Sequence, residues 1–546
     1  MKKNLITGIS LLFLSSQSFI FGQSVPKQAL QAINPDAIKA TMTYLADDLL
    51  EGRQPGTKGF ALASKYIETE FMALGLKPVI NGNSYIQKVP LRKGIVNDKA
   101  SGLSLVINGK EETLDYGKHF IASPNFINEA SEIEAPLVFV GFGVHAPEMN
   151  YDDYQNIDVK GKIVVILNGA PETFPSNERA YFTNNTVKSN EAIKRGAVGV
   201  ISFNLPTDKR TTWDATVRRA KQGSFKWLDD NNIAKDGFPE LKGVIFFNTE
   251  HAEKLFSNTD KKTDEIYSNA KAGKVQSFPL NVSAKIKVKT AYQFVQGSNL
   301  VGLIEGSDPK LKDEYVVYAA HLDHFGIGAP VKNDSIYNGA HDNASGVSIL
   351  LEIAHAYRSL PKAPKRSIII TVVTGEEYGL LGSDYFATNA PIKDGKIVAN
   401  LAIDMPFFFH PVLDVVPYGA QHSSLSKQVK QATEILKLKV SPDPFPEQVV
   451  FVRSDHFSFI KKGIPALFIK SGFMTVPTDT IDRSKSDVAW RTTTYHTPQD
   501  DMSQPFDFQA AATHVKLNFL IGYFVANDSV APTWNKGDFF GGKFGK

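Results

Sequence analysis

Three neighbouring stretches decide the fold: YVVYAAHLDHFG (residues 315–326), NGAHDNASGVSILLEIA (338–354) and RSIIITVVTGEEYGLLGS (366–383). Each joins an apolar run to carboxylates, and the first two add histidines. Val316 to Ala320 and Ser367 to Thr374 show no polar alternation, the pattern of strands buried on both faces of a parallel sheet. Between them Val347, Leu350, Leu351, Ile353 and Ala354 recur at helical spacing. The unit is strand, helix, strand. His321 and Glu376 fall just past the C-terminal ends of the two strands, where open α/β sheets place their ligands.

The whole chain has 546 residues, enough for roughly two to four domains. Hydrophobic residues make up 42% and charged residues 21%, which excludes an intrinsically disordered chain. The formal net charge of +3 gives no footprint for nucleic acid or an acidic membrane. Lys2 and Lys3, an apolar core from Leu5 to Leu14, then small and polar residues towards Gly22 have the layout of a signal peptide over residues 1–22. The apolar core is shorter than the about 20 residues of a membrane span, so export to the periplasm or beyond is expected, without stable membrane insertion. No cysteine is present, which removes disulfides, thiol catalysis and thiolate metal sites together. Any metal has to be held by histidine and carboxylate.

Outward from the opening stretches, Asn34 to Leu50 and Phe60 to Leu74 read as helices. From about Glu134 a strand-rich texture with glycine punctuation begins, and near SNLVGLIEG (298–306) the α/β rhythm restarts. Residues 126–289 are therefore expected to be an inserted domain. Val398 to Ile403 is a strand ending at Asp404, Ser471 to Thr494 reads as a polar loop over a site, and Phe508 to Val525 is a long closing helix.

His321, Asp323, Asp342, Glu376, Glu377, Asp404 and His496 form the chemical set. Carboxylates following buried strands are costly without partners, and several on one sheet edge repel unless cations hold them. Two metals account for the count: one bridging carboxylate, a further carboxylate and an imidazole on each ion, an open position for water or substrate, and one acid left over as base. The count alone does not choose between Glu376 and Glu377. Asp323 projects to the same side as His321 and could fix its tautomer. There is no G-x-S-x-G elbow, H-E-x-x-H helix or phosphate loop.

HLDHFG, NGAHDNASG, TGEEYGLLGS, NLAIDM, RSDHFSF and YHTPQDD, in this order and spacing, resemble the co-catalytic di-zinc aminopeptidases of the leucyl aminopeptidase and aminopeptidase Y type, with glutamate carboxypeptidase and glutaminyl cyclase more distant. YLADDLLEGRQPGTKG (44–59) resembles the family's lead-in, and the inserted segment its protease-associated domain. The resemblance implies a mixed, mostly parallel α/β sheet flanked by helices, formed by residues 23–125 and 290–530, with 126–289 inserted and 531–546 a tail. It implies that His321 and Asp404 bind one zinc, Glu377 and His496 the other, that Asp342 bridges, that Glu376 is the general base, and that Asp323 orients His321. Cobalt or manganese would also suit such ligands.

Two departures from the family pattern stand out. His341 replaces an acid before Asp342, with substrate contact or a solvent-facing position as alternatives. Phe407, Phe408 and Phe409 follow Asp404 and Met405, as wall of a substrate pocket or as core. With Arg453, the residues His341, Phe407 and Met405 are the candidate substrate contacts. The expected activity is an exported aminopeptidase acting on peptides with apolar N-terminal residues. A carboxypeptidase or dipeptidase of the same fold, and a non-catalytic binding protein on this scaffold, are the alternatives. Oligomeric state is not legible.

Overall fold

The computed structural model describes residues 25–208, 211–393, 395–476 and 478–545; the expected signal segment lies outside them. The runs of Val, Ile and Ala form a central sheet. Its strands lie in the order Ser224–Trp227, Ile86–Val96, Phe278–Ile304, Ser367–Val373, Glu314–His321, Lys396–Ala402, Ala466–Ser471, Asp414–Tyr418. Ser367–Val373, Glu314–His321, Lys396–Ala402 and Ala466–Ser471 are mutually parallel; the flanking pairings are antiparallel.

Both sheet faces are covered, which is why these strands lack polar alternation. On strand Glu314–His321, Val316, Tyr318 and Ala320 join one core, with Ile349, Leu350 and Ile353 of helix Ser345–Arg358 and Leu517 and Ile521 of helix Phe508–Asn527. Val317 and Ala319, at the alternate positions, join a second core with Phe386, Phe459 and Phe468.

A second sheet carries the inserted segment. Ala130–Phe139, Ile163–Leu167, Gly199–Phe203 and Gly243–Phe247 pair in parallel, and Gly102–Ile107, Lys110–Leu114 and Phe120–Ala122 add antiparallel strands. The 27-residue strand Phe278–Ile304 serves both sheets. Its first part pairs with Ala130–Phe139, its later part with Ile86–Val96 and Ser367–Val373. Helix Trp213–Gln222 of the inserted segment buries none of its residues in the segment's own cores, and leads through Gly223 into the edge strand Ser224–Trp227 of the central sheet.

Two segments differ from the sequence expectation. The stretch 471–494 is not all loop: Arg483–Thr493 is a helix, N-capped by Asp482, whose side chain accepts from the Ser484 and Lys485 N–H groups. Its apolar periodicity is weak, because its inward face is built from Asp487, Trp490 and Arg491 and not from aliphatic residues. The tail also folds. Asp538 caps a short helix, Phe539–Phe544, and Phe540 is fully buried.

Candidate metal centre

Parallel register brings the strand ends level, since His321 lies opposite Val373 and Ala319 opposite Ala402. His321 ends its strand, Glu376 and Glu377 form the turn after Ser367–Val373, and Asp404 lies two residues past Lys396–Ala402. Asp342 enters from the turn before helix Ser345–Arg358. His496 follows helix Arg483–Thr493.

Asp342 stands between two histidines. His321 Nε2 is 3.3 Å from Asp342 Oδ1 and 3.6 Å from Asp404 Oδ1. His496 Nε2 is 3.1 Å from both Asp342 Oδ2 and Glu377 Oε2. Glu376 Oε2 lies 4.0 Å from His321 Nε2. His321 and Asp342 are buried. His321 Nε2, His496 Nε2, Asp404 Oδ1 and Glu377 Oε1 are shielded from solvent yet lack a hydrogen-bond partner. Buried polar atoms without partners are expensive, and a set of imidazole nitrogens and carboxylate oxygens converging in this way suits divalent cations. Two groups bring one donor atom per residue within 4.8 Å of one another: His321, Asp342 and Asp404, and His324, Asp342 and Glu377.

Residues 299–520 match Peptidase family M28, and residues 133–226 match the PA domain. Aminopeptidase NAALADL1 of Mus musculus is 33% identical over 341 residues, 54% of this chain and 42% of that protein. A probable zinc metalloprotease of Pyrenophora tritici-repentis is 31% identical over 108 residues, 20% of this chain and 24% of that protein. Each match thus spans less than half the length of the curated relative. The solved aminopeptidase from Aneurinibacillus sp. strain AM-1 superposes with a TM-score of 0.55 at 19% identity, over 93% of this chain and 97% of that one; at that identity the likeness is one of fold.

The charges at this edge of the sheet are unequal. Burial raises the Asp342 carboxyl, but the close imidazoles of His321 and His496 outweigh it and hold Asp342 well below the usual carboxylate range. Burial also acts on Glu377, where the fields of His496 and His324 prevail and bring it to about 2. Glu376 goes the other way. Burial, with Asp404 and Glu377 nearby, holds it well above the carboxylate range against the pull of His321.

Asp323 is fully buried. Its carbonyl oxygen, not its carboxylate, is the nearer group to His321 Nδ1, at 3.2 Å against 4.0 Å. The carboxylate instead accepts the Glu376 N–H at 3.2 Å, so Asp323 ties the His321 turn to the Glu376 turn.

Several residues at the site had no role in the sequence reading. Arg53, in the lead-in motif, is buried. Its guanidinium donates to the carbonyls of Leu322 (2.8 Å) and Gly339 (3.0 Å), and also to those of Leu45 and Asn338. Asp500, in YHTPQDD, accepts the N–H groups of His341 and Asp342, both at 2.9 Å. Tyr495 stacks on His496 with ring centroids 3.6 Å apart. Arg219, on inserted helix Trp213–Gln222, brings Nη2 to 3.3 Å from His496 Nδ1 and 3.8 Å from Glu377 Oε2. The lead-in and YHTPQDD motifs pointed to the regions of Arg53, Tyr495 and Asp500. Nothing local in the inserted segment pointed to Arg219.

The candidate substrate contacts divide. Arg453 is exposed and donates to Tyr495 Oη at 3.2 Å. Phe407 and Met405 are buried at 6% and 5% exposure. His341 does not face solvent. It is fully buried, packed edge-on against Phe407 (4.8 Å) and Trp490 (5.2 Å), with Phe409 at 4.9 Å. Burial, with Lys470 adding to it, holds His341 well below its usual range and keeps it neutral. The aromatic run after Met405 is the reason: it needs an inward partner, and an uncharged imidazole fills that space.

Proposed function

We propose that this chain is an exported exopeptidase that removes N-terminal residues, apolar ones foremost, from peptides. In this reading His321 and Asp404 would hold one zinc ion, Glu377 and His496 a second, and Asp342 would be available to both. The observation that carries it is Asp342, whose two carboxylate oxygens each face a different histidine. Bound zinc supplies Lewis acidity for a peptide carbonyl and lowers the pKa of water. The protein's own part falls to Glu376. Its carboxylate takes the proton of the attacking water and returns it to the departing amide nitrogen, and the Asp323 carboxylate fixes its backbone. Tyr495 and Arg453 stand as a hydrogen-bonded pair beside His496, placed to donate to oxygen charge that develops on the carbonyl.

The apolar preference rests on Phe407 and its neighbours. Phe407 borders a small cleft with Val450, Phe473, Lys470 and Arg491, and Lys470 and Arg491 lie 5.1 and 5.0 Å from its ring centre. Hydrolysis of Leu-, Lys- and Glu-anilides tests the reading. Leu-anilide is expected to be the best substrate, and activity confined to the acidic one sinks the preference. A second reading, a carboxypeptidase or dipeptidase, is favoured by the two arginines near the centre, Arg219 and Arg453. N-acetylated peptides separate the two, because an aminopeptidase leaves them intact.

A further inference from the structure

His324 carries the same signs as the expected ligands and has no place in the five-ligand scheme. It follows His321 by three residues, past the end of strand Glu314–His321. The ring is fully buried, and neither Nδ1 nor Nε2 has a hydrogen-bond partner. Nδ1 lies 2.6 Å from Glu377 Oε1, yet the pair lacks the N–H···O alignment of a hydrogen bond. Both atoms are of the kinds that bind divalent cations. A ring nitrogen of His324 lies within 4.8 Å of a carboxylate oxygen of Asp342. The ring of His496 is 5.8 Å away, centroid to centroid, so both imidazoles border the Glu377 and Asp342 oxygens.

Room for this ring is provided by a glycine. Gly339 sits at φ +59°, and a Cβ on it would come 2.7 Å from the His324 Cγ. Any side chain there would push the imidazole off Glu377. His341 also has both nitrogens bare, but among aromatic rings; what sets His324 apart is that its nitrogens lie beside the carboxylates of Glu377 and Asp342.

We infer that His324 is a fourth protein ligand on the Glu377 side, so that the two cation positions are unequal. One side has His321, Asp404 and the shared Asp342. The other would have His324, Glu377, His496 and the shared Asp342, four protein residues. The four-residue side binds its ion tightly, and the three-residue side keeps the open position that a catalytic ion needs. This inference rests on the two-cation reading above.

The test is titration of the purified, metal-stripped full chain with Zn2+ by calorimetry, and with Co2+ by visible absorption, for wild type, His324→Ala and His324→Asn. Wild type is expected to take up two ions in one tight and one weaker step. Both variants are expected to lose affinity at the tight step by about 10- to 100-fold or more, at least the loss typical of removing an outer partner of a ligand. Both should also change the Co2+ absorption of that step. Asparagine keeps a donor near the Nδ1 position. If His324→Asn binds like wild type while His324→Ala does not, His324 only hydrogen-bonds Glu377 and the inference is overturned. Unchanged binding in both variants overturns it as well. If wild type takes up no ion, the two-cation reading itself fails, an outcome distinct from the other two. Thermal unfolding of each stripped variant shows whether it is folded.

Discussion

Arg219 of the inserted segment stands 3.3 Å from His496 and 3.8 Å from Glu377, both expected ligands on the far side of the central sheet's edge. The guanidinium also lies 4.4 Å from the centre of the Phe325 ring, which holds it over the site. The inserted segment therefore places a fixed positive charge where a cation is expected. Like charges oppose each other, but this side chain is 48% exposed and solvent screens it. Arg219→Ala is expected to raise Zn2+ or Co2+ affinity by only about 2- to 5-fold, and the gain should shrink as salt is added. Titration at low and high ionic strength measures it. An unchanged affinity at low salt would mean that the guanidinium swings away from the centre in solution.

Glu376 and Glu377 are adjacent, yet their surroundings differ. Glu377 is 3.1 Å from His496 and 2.6 Å from His324. Glu376 has only His321, at 4.0 Å, among the histidines. Glu376→Gln is expected to lower kcat by about 10²- to 10⁴-fold while the protein keeps its bound ions. Glu377→Gln is expected to weaken the ions themselves, so that added metal restores part of the activity. Metal analysis beside kinetics decides it. Activity of Glu376→Gln at the wild-type level would remove Glu376 from the mechanism.

Arg53 is the fastener of the site. One guanidinium joins the turn after helix Pro35–Leu45, the His321 strand end through Leu322, and the Asp342 turn through Asn338 and Gly339. Burial lowers its pKa to about 10 even though Asp323, Asp500, Asp342 and Glu377 all favour its charge. Arg53→Met strands several buried carbonyls and leaves those acids without a buried counter-charge. A loss of about 3–5 kcal/mol of unfolding free energy is expected. Arg53→Lys should fall between, because an ammonium cannot reproduce the planar fork. Urea unfolding of the two variants measures both, and a stability change under about 1 kcal/mol for Met would contradict the role.

What the sequence disclosed follows from how local each signal is. The buried strands were legible because residues such as Ile368, Ile369 and Ile370 leave no polar alternation, and strand ends locate His321, Glu376, Glu377 and Asp404. Helix Arg483–Thr493 was hidden, because its inward residues are a tryptophan, an arginine and an aspartate. His324 stood in plain view in HLDHFG, yet its closeness to Glu377 depends on the space left at Gly339. Arg219 was illegible, since its proximity to His496 arises from the way the inserted segment returns to the central sheet through Ser224–Trp227.

Lys188 is a buried cation far from this chemistry, and it predicts a pH dependence. Its ammonium donates to the carbonyls of Leu167 (3.0 Å) and Gly169 (2.6 Å) at the end of an inserted-sheet strand. Burial lowers its pKa from 10.5 to about 7, with Asp153 opposing the shift. Between about pH 7 and pH 10 the unfolded chain therefore binds more protons at Lys188 than the folded one. Stability from this group rises with pH across that window. It is fully present above the unfolded pKa and lost as pH falls through about 7. Lys188→Met keeps the aliphatic bulk and has nothing to titrate, so the variant lacks this rise. Its stability relative to wild type is expected to drop between pH 7 and pH 10, read from unfolding free energies at pH 6, 7.5 and 9. A difference that stays constant over the three values would show that Lys188 keeps an ordinary pKa in the folded protein.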